Sequence, residues 1–294
     1  MHIPDGFLTP PVWIALDAAA AAAVAVCARR AQSEIDVTAG ARIPMLGVTG
    51  AFVFAAQMIN FPIAPGTSGH LVGSALLTIV VGPWAAAIVM TAVLLLQALI
   101  LQDGGILALG ANIFNMAIVG VLAAYVPMQL LGRATRAGYF LAGVCGVFTS
   151  AAFAMAELSA SGIAFSQTAW TASAILFLLN GVIEGAITVA AVNAIRRVNP
   201  PIERVRSQAI PRRFVSVPVF VLGTVLVLGL LLGLAVASQA PDVLEAALAG
   251  RGAFLAPFNM GQWSRKALSG LLGMLLVWIS VALLGRLWGR RRPA

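Results

Sequence analysis

Histidine occurs twice in the 294 residues, at His2 and His70, and His2 directly follows the initiating Met1. A histidine in second position has a particular chemistry. The free amine of Met1, the backbone nitrogen of His2 and the Nδ1 of its imidazole can all reach one metal ion. Amine and amide close a five-membered chelate ring, and amide and Nδ1 close a six-membered one. Three coplanar nitrogens result, with a fourth position that the His70 ring can fill. Four nitrogens in a plane suit Ni(II) or Cu(II), and tolerably Co(II), whereas Zn(II) prefers a tetrahedron. The scheme needs Met1 to be retained, and a bulky second residue such as His2 protects it from removal. The residues alone leave a second reading open: His2 as a solvated terminus, and His70 as a helix cap after the turn Gly66-Thr67-Ser68-Gly69.

Other chemistry is poorly provided for. The chain holds neither HExxH nor GxxxxGKS/T, and its only lysine is Lys266. A membrane-embedded metalloenzyme is therefore the weaker alternative, and any ATP hydrolysis must belong to other chains. Cys27 and Cys145 lie in apolar stretches without a CxxC pattern, which fits packing better than ligation.

The elements that must position these residues are membrane helices. Hydrophobic residues make up 61% of the chain and charged residues 10%, against about 45–50% and 25% in soluble proteins. Mean hydropathy is +0.98. Apolar runs predict helices over 12–28, 43–59, 71–81, 84–101, 106–131, 138–160, 171–195, 214–238 and 267–286, an all-α integral membrane protein of about nine spans. The third run is short and is set off from the fourth by Gly82-Pro83-Trp84. The net charge of +8 is carried in short clusters between the apolar runs, a pattern of membrane orientation and not of nucleic-acid binding. With the N-terminus outside, fifteen of the eighteen basic residues fall on the cytoplasmic side and only Arg251, Arg265 and Lys266 face outward. Met1 to Asp5 contains no Lys or Arg, unlike a secretory signal, so the mature chain is expected to begin at or near Met1. The polar stretch 201–213, with Pro201 and Pro211, separates a seven-span unit (1–200) from a two-span unit (214–294).

At the metal-binding candidates the chain resembles the CbiM/NikM family, the substrate-specific components of energy-coupling-factor cobalt and nickel importers. The opening Met1-His2-Ile3-Pro4-Asp5-Gly6-Phe7-Leu8 is similar to the family's own. Gly66-Thr67-Ser68-Gly69-His70-Leu71 resembles its second metal motif, and Gln102-Asp103-Gly104-Gly105 through Gly110-Ala111-Asn112-Ile113-Phe114-Asn115-Met116 its central one. Gly181 and Glu184 fit a weaker later motif. Ser238 to Glu245 is similar to the PDG-LE signature of the auxiliary CbiN/NikN component, with Val243 in place of its glycine. The resemblance implies a nickel or cobalt ion as cargo, with no resident cofactor, held by Met1, His2 and His70. It further implies a transmembrane coupling protein and two cytoplasmic ATPase subunits as partners, in the cytoplasmic membrane of a bacterium or archaeon. The planar nitrogen field slightly favours nickel. An S component for an organic vitamin, or a standalone channel, is the alternative against which these motifs speak.

Ser68, Asp103, Asn112 and Asn115 are candidates for hydrogen bonds that orient the ligands. Loop chemistry for Asp103 and interhelical contacts for the asparagines would explain them as well. Asp17, Glu157 and Glu184 lie within apolar segments, where a charge costs at least about 2.5 kcal/mol at the bilayer centre, so each is expected to have a partner or water. Glu184 is the deepest and the better candidate for a structural or coupling role. The run Ala18 to Ala23 offers a small-residue face for close helix contact, within the chain or with a partner.

Overall fold

The computed structural model describes residues 1–36, 39–64, 67–132, 135–198 and 242–249. The linker and the apolar runs 214–238 and 267–286 lie outside the described residues. Helix α1 (Pro10–Asp36) starts where Pro10 and Pro11 occupy positions with no helical N–H to satisfy. The amides of Val12 and Trp13 return to the carbonyl of Thr9. Helix α2 (Ala39–Gln57) follows, then a two-stranded hairpin of β1 (Asn60–Ala64) and β2 (Thr67–His70). The strands pair antiparallel with Asn60 opposite His70 and Phe61 opposite Gly69.

Helix α3 (Ser74–Val81) is short: eight residues rise about 12 Å, well under a bilayer core. Gly82, at φ 87°, ends it, and Pro83 opens α4 (Pro83–Leu101). The last turn of α4, Gln97–Leu101, is π-helical and stops at Gln102, which adopts φ 55°. Helix α5 (Leu109–Leu131) contains a π-helical stretch over Ile113–Val119. Helix α6 (Arg136–Ala160) is capped by Thr135, whose hydroxyl accepts from the amide of Gly138 at 3.1 Å. Helix α7 (Gln167–Val198) and the short α8 (Val243–Ala249) complete the described elements.

Five of the described helices are long and apolar enough to cross a membrane: the stretches Pro10–Ala31, Pro83–Leu101, Leu109–Leu131, Arg136–Ala160 and Gln167–Arg196. The chain is thus a multi-pass helical membrane protein. Its boundaries follow the hydropathy runs closely. The hairpin is the difference: His70 lies on β2 and the helix begins only at Ser74, so the chain does not pass from His70 directly into a helix. Outward faces present Leu99, Leu122, Val126, Leu130 and Ile175, as lipid contact requires.

The interior is filled by Ile3, Leu77, Met90, Leu94, Met116, Tyr139, Met155 and Leu158. Helices α6 and α7 meet backbone to backbone, since a Cβ on Gly143 would lie 2.6 Å from the Cα of Gly185. Further toward the start of α6 and the end of α7, Arg196 donates to the hydroxyl of Tyr139. Arg30, from the end of α1, lies 4.5 Å over the ring of Trp84 at the start of α4.

Candidate metal site

The N-terminal segment is drawn into the protein. Ile3 is fully buried, and Met1 and His2 are buried beside it. Asn112, on α5, grips Ile3 from both sides of its amide. Its Oδ1 accepts from the Ile3 N–H at 2.8 Å and its Nδ2 donates to the Ile3 carbonyl at 3.1 Å. Gly105 donates its N–H to the same carbonyl at 2.9 Å. Asp5 accepts from the amides of Ile106, Leu107 and Ala108 at 2.9, 2.8 and 3.3 Å. These amides lead into α5, where donors lack helical partners and an anion is favoured. The glycines of the central motif permit this docking. Gly104 adopts φ 97°, and a Cβ there would meet the His2 side chain at 3.1 Å; a Cβ on Gly105 would lie 2.2 Å from Asp5 Oδ1.

His70 is presented from the other side, at the end of β2. Its carbonyl accepts from Asn180 Nδ2 of α7 at 3.2 Å. The residues after it are clamped: Glu184 accepts from the amides of Val72 and Gly73 at 2.6 and 2.8 Å. Gln57 donates to the Val72 carbonyl at 2.5 Å and receives a bond from Gln97 at 2.7 Å. The ring of His70 keeps Nδ1 at 3.0 Å from the Leu71 carbonyl, so Nε2 is the atom turned to the site.

The two histidines converge although 67 residues separate them in the chain (residues 3–69). Their rings are parallel within 3°, with centroids 5.7 Å apart. The Met1 amine touches His70 Nε2 directly. It also forms an ion pair with Asp242, a residue that leads into α8. The same Asp242 oxygen is 3.4 Å from His70 Nε2. His2 Nδ1 lies 3.3 Å from Asp103 Oδ1, while its Nε2 is buried without a partner among the described residues. No group of three His, Cys, Asp or Glu side chains among the described residues is arranged to hold a metal ion. A metal site here has to draw nitrogen from the main chain and its amine.

The charges respond to one another. Burial lowers the pKa of His70, the amine lowers it further, and both outweigh the opposing pull of Asp242. Both effects favour the neutral ring, which carries a lone pair. Burial acts to raise Asp242, but the amine and His70 hold its carboxyl well below the usual carboxylate range. Asp103 is likewise held low, its burial outweighed by the His2 ring. Its side chain is 43% exposed, so this pair is partly screened by solvent and is the weaker of the two.

Of the sequence candidates, Met1, His2, His70, Asp103 and Asn112 come together. Ser68 is buried in β2 and bridges through its backbone to Asp242. Asn115 sits on the next turn of α5 and donates instead to Glu157 at 2.7 Å. Asp17 accepts from the Gly110 amide at 2.9 Å and ties α1 to the start of α5. Asp242 is the site residue that sequence reasoning missed. Its spacing to Glu245 carries a capping-box signal, which the structure realises in both directions: Glu245 N–H to Asp242 Oδ1 at 2.7 Å, and Asp242 N–H to Glu245 Oε2 at 3.0 Å. Nothing in that spacing says which part of the molecule the segment meets.

This multi-pass helical bundle, with its N-terminus drawn against a buried histidine, is similar in sequence and fold to membrane transport proteins for metal ions. Residues 2–202 match the cobalt uptake substrate-specific transmembrane region, CbiM, and the chain belongs to that family. Among its relatives, the cobalt transport protein CbiM 1 of Pelobacter propionicus is 35% identical over 68% of this chain and 92% of its own length. The fused nickel transport protein NikMN of Rhodobacter capsulatus is 35% identical over 58% of this chain and 50% of its own. A crystal structure described as a transition metal transporter is similar at a TM-score of 0.60 and 29% identity, covering 70% of this chain and all of that one. The chain is a component of metal uptake across a membrane and not an enzyme, and the metal ion is its cargo.

Proposed function

We propose that this chain is the substrate-specific component of an energy-coupling-factor importer for Ni2+ or Co2+. The ion is held by the Met1 amine, the His2 backbone nitrogen, His2 Nδ1 and His70 Nε2. The observation that carries this reading is the direct meeting of the Met1 amine with His70 Nε2 beside a parallel His2 ring. The grip of Asn112 on Ile3 maintains that meeting. Chelation by Nδ1 takes that atom from Asp103. A half-turn of the ring brings Nε2–H toward the carboxylate, the arrangement that orients metal-bound histidines in general. The ammonium of Met1 and the amide N–H of His2 must each give up a proton to bind. A planar field of nitrogens favours Ni2+ slightly over Co2+.

The N-terminus faces outward, as the distribution of arginines favours. The site strips water from the ion, and the terminal segment closes over it. Motion of a transmembrane coupling protein and two cytoplasmic ATPase subunits, which meet the arginine-rich side, then releases the ion inward. The names of the fused nickel transport relatives support a division into a metal-binding unit over 1–200, a linker over 201–213 and an auxiliary unit over 214–294. The protein resides in the cytoplasmic membrane of a bacterium or archaeon.

The test is nickel and cobalt binding by protein with its native N-terminus, beside a variant carrying one extra residue before Met1. The extension removes the amine from the chelate, and binding is expected to fall by orders of magnitude. Undiminished affinity in the extended protein sinks the assignment, as does a natural chain trimmed or acetylated at Met1. Uptake in cells is expected to vanish in both His2→Ala and His70→Ala.

A further inference from the structure

Two of the atoms assigned to the ion already meet each other beside one carboxylate oxygen. The Met1 amine pairs with Asp242 Oδ2, and His70 Nε2 lies 3.4 Å from that oxygen. Asp242 is built into this position. Glu245 closes a capping box around it, its backbone bridges to Ser68, and Val243 and Leu244 are buried behind it. The contact joins the auxiliary unit to the two ends of the metal-binding unit's site.

We infer that Asp242 is a stand-in for the transported ion, holding the Met1 amine, and through it His70 Nε2, in the ion-free protein and leaving when the ion arrives. The inference rests on the ligand assignment proposed above. Its reasoning is steric and electrostatic. Metal–nitrogen bonds are about 2.0–2.1 Å, so an ion bonded to both nitrogens must lie in the gap that the carboxylate oxygen now borders. Four nitrogens complete the plane of a square-planar ion and leave no strong position for an added oxygen. Without the ion, the buried ammonium needs a counter-charge, because a buried charge left unpaired is costly. Asp242 supplies it. On loading, the ion takes the amine and His2 amide nitrogens, each of which gives a proton to solvent, and the carboxylate is set free with α8. Occupancy of the site is thereby coupled to the position of the C-terminal unit.

The experiment is equilibrium nickel binding by the full-length chain with its native N-terminus, in detergent. Asp242→Asn keeps an acceptor for the Glu245 amide while removing the charge that competes for the amine. It is expected to bind nickel about tenfold more tightly than wild type, as is Asp242→Ser, which also caps. Glu245→Gln preserves the capping box and is expected to bind as wild type does. Unchanged or weakened nickel affinity in both Asp242 variants overturns the inference. The one-residue N-terminal extension separates the two claims. If it abolishes binding while the Asp242 variants fail to tighten it, the ligands stand and the stand-in does not; if it binds normally, the ligand assignment itself has failed.

Discussion

At the scale of single residues, the proposed site is a meeting of weak ligands made strong by placement. An amine, an amide nitrogen and two imidazoles are common groups, and none needs an unusual environment to bind a transition metal. What the protein adds is confinement of a chain terminus that would otherwise fray. Asn112 does this with two hydrogen bonds to Ile3. Replacing it with alanine leaves the Ile3 amide and carbonyl short of partners and frees the ligands next to them. Residues that orient metal ligands contribute about 10–100-fold to affinity, so Asn112→Ala is expected to weaken nickel binding by about tenfold or more, measured by equilibrium dialysis. An affinity equal to wild type would show that the terminus holds itself in place.

At the scale of elements, irregular backbone near the site is held by buried side chains from the helices. The loop from His70 to Gly73 sits between β2 and α3, and its free amides are met by Glu184. Leaving a buried donor without an acceptor costs about 1–3 kcal/mol. Glu184→Ala is expected to lower the melting temperature in detergent and loosen His70 with it. Glu184→Gln retains one acceptor oxygen and is expected to lie between alanine and wild type. Equal melting temperatures for all three would mean that the loop needs no clamp. The crossing of α6 and α7 is similarly specific. Valine at Gly143 would drive its Cβ into the Gly185 backbone, and overpacking of this kind costs about 1–3 kcal/mol. The expected result of Gly143→Val is a lower melting temperature, and an unchanged one would mean that the two helices can separate at no cost.

At the scale of the whole molecule, orientation decides from which side the ion enters. The proposed orientation, read from the arginine clusters, puts 201–213 on the cytoplasmic side and the segment around Arg251 outside. In a chain without Cys27 and Cys145, a cysteine at Ala253 is expected to react with a membrane-impermeant thiol reagent on intact cells. One at Ser207 is expected to react only after lysis. The reverse pattern would invert the topology and place the metal site on the inner face.

Much of this was legible in order along the chain. Long apolar runs leave a membrane helix as the only structure that satisfies its own backbone, so seven helices fall near where hydropathy predicts them. The Gly82-Pro83 break and the pair of lone histidines are equally local signals. Tertiary structure alone decided who meets whom. The hairpin that presents His70 depends on pairing across Asn60 and Phe61 and has no strong strand pattern of its own. Asn112 and Asn115 are three residues apart on one helix with the same side chain, yet one turns to the N-terminal segment and the other to Glu157. Asp242 reads as a helix cap at the far end of the chain, and only folding brings it to the first amino group. Spacing along a sequence encodes periodicity and capping, which are local. Partners more than a hundred residues apart are chosen by the packing of the helices between them.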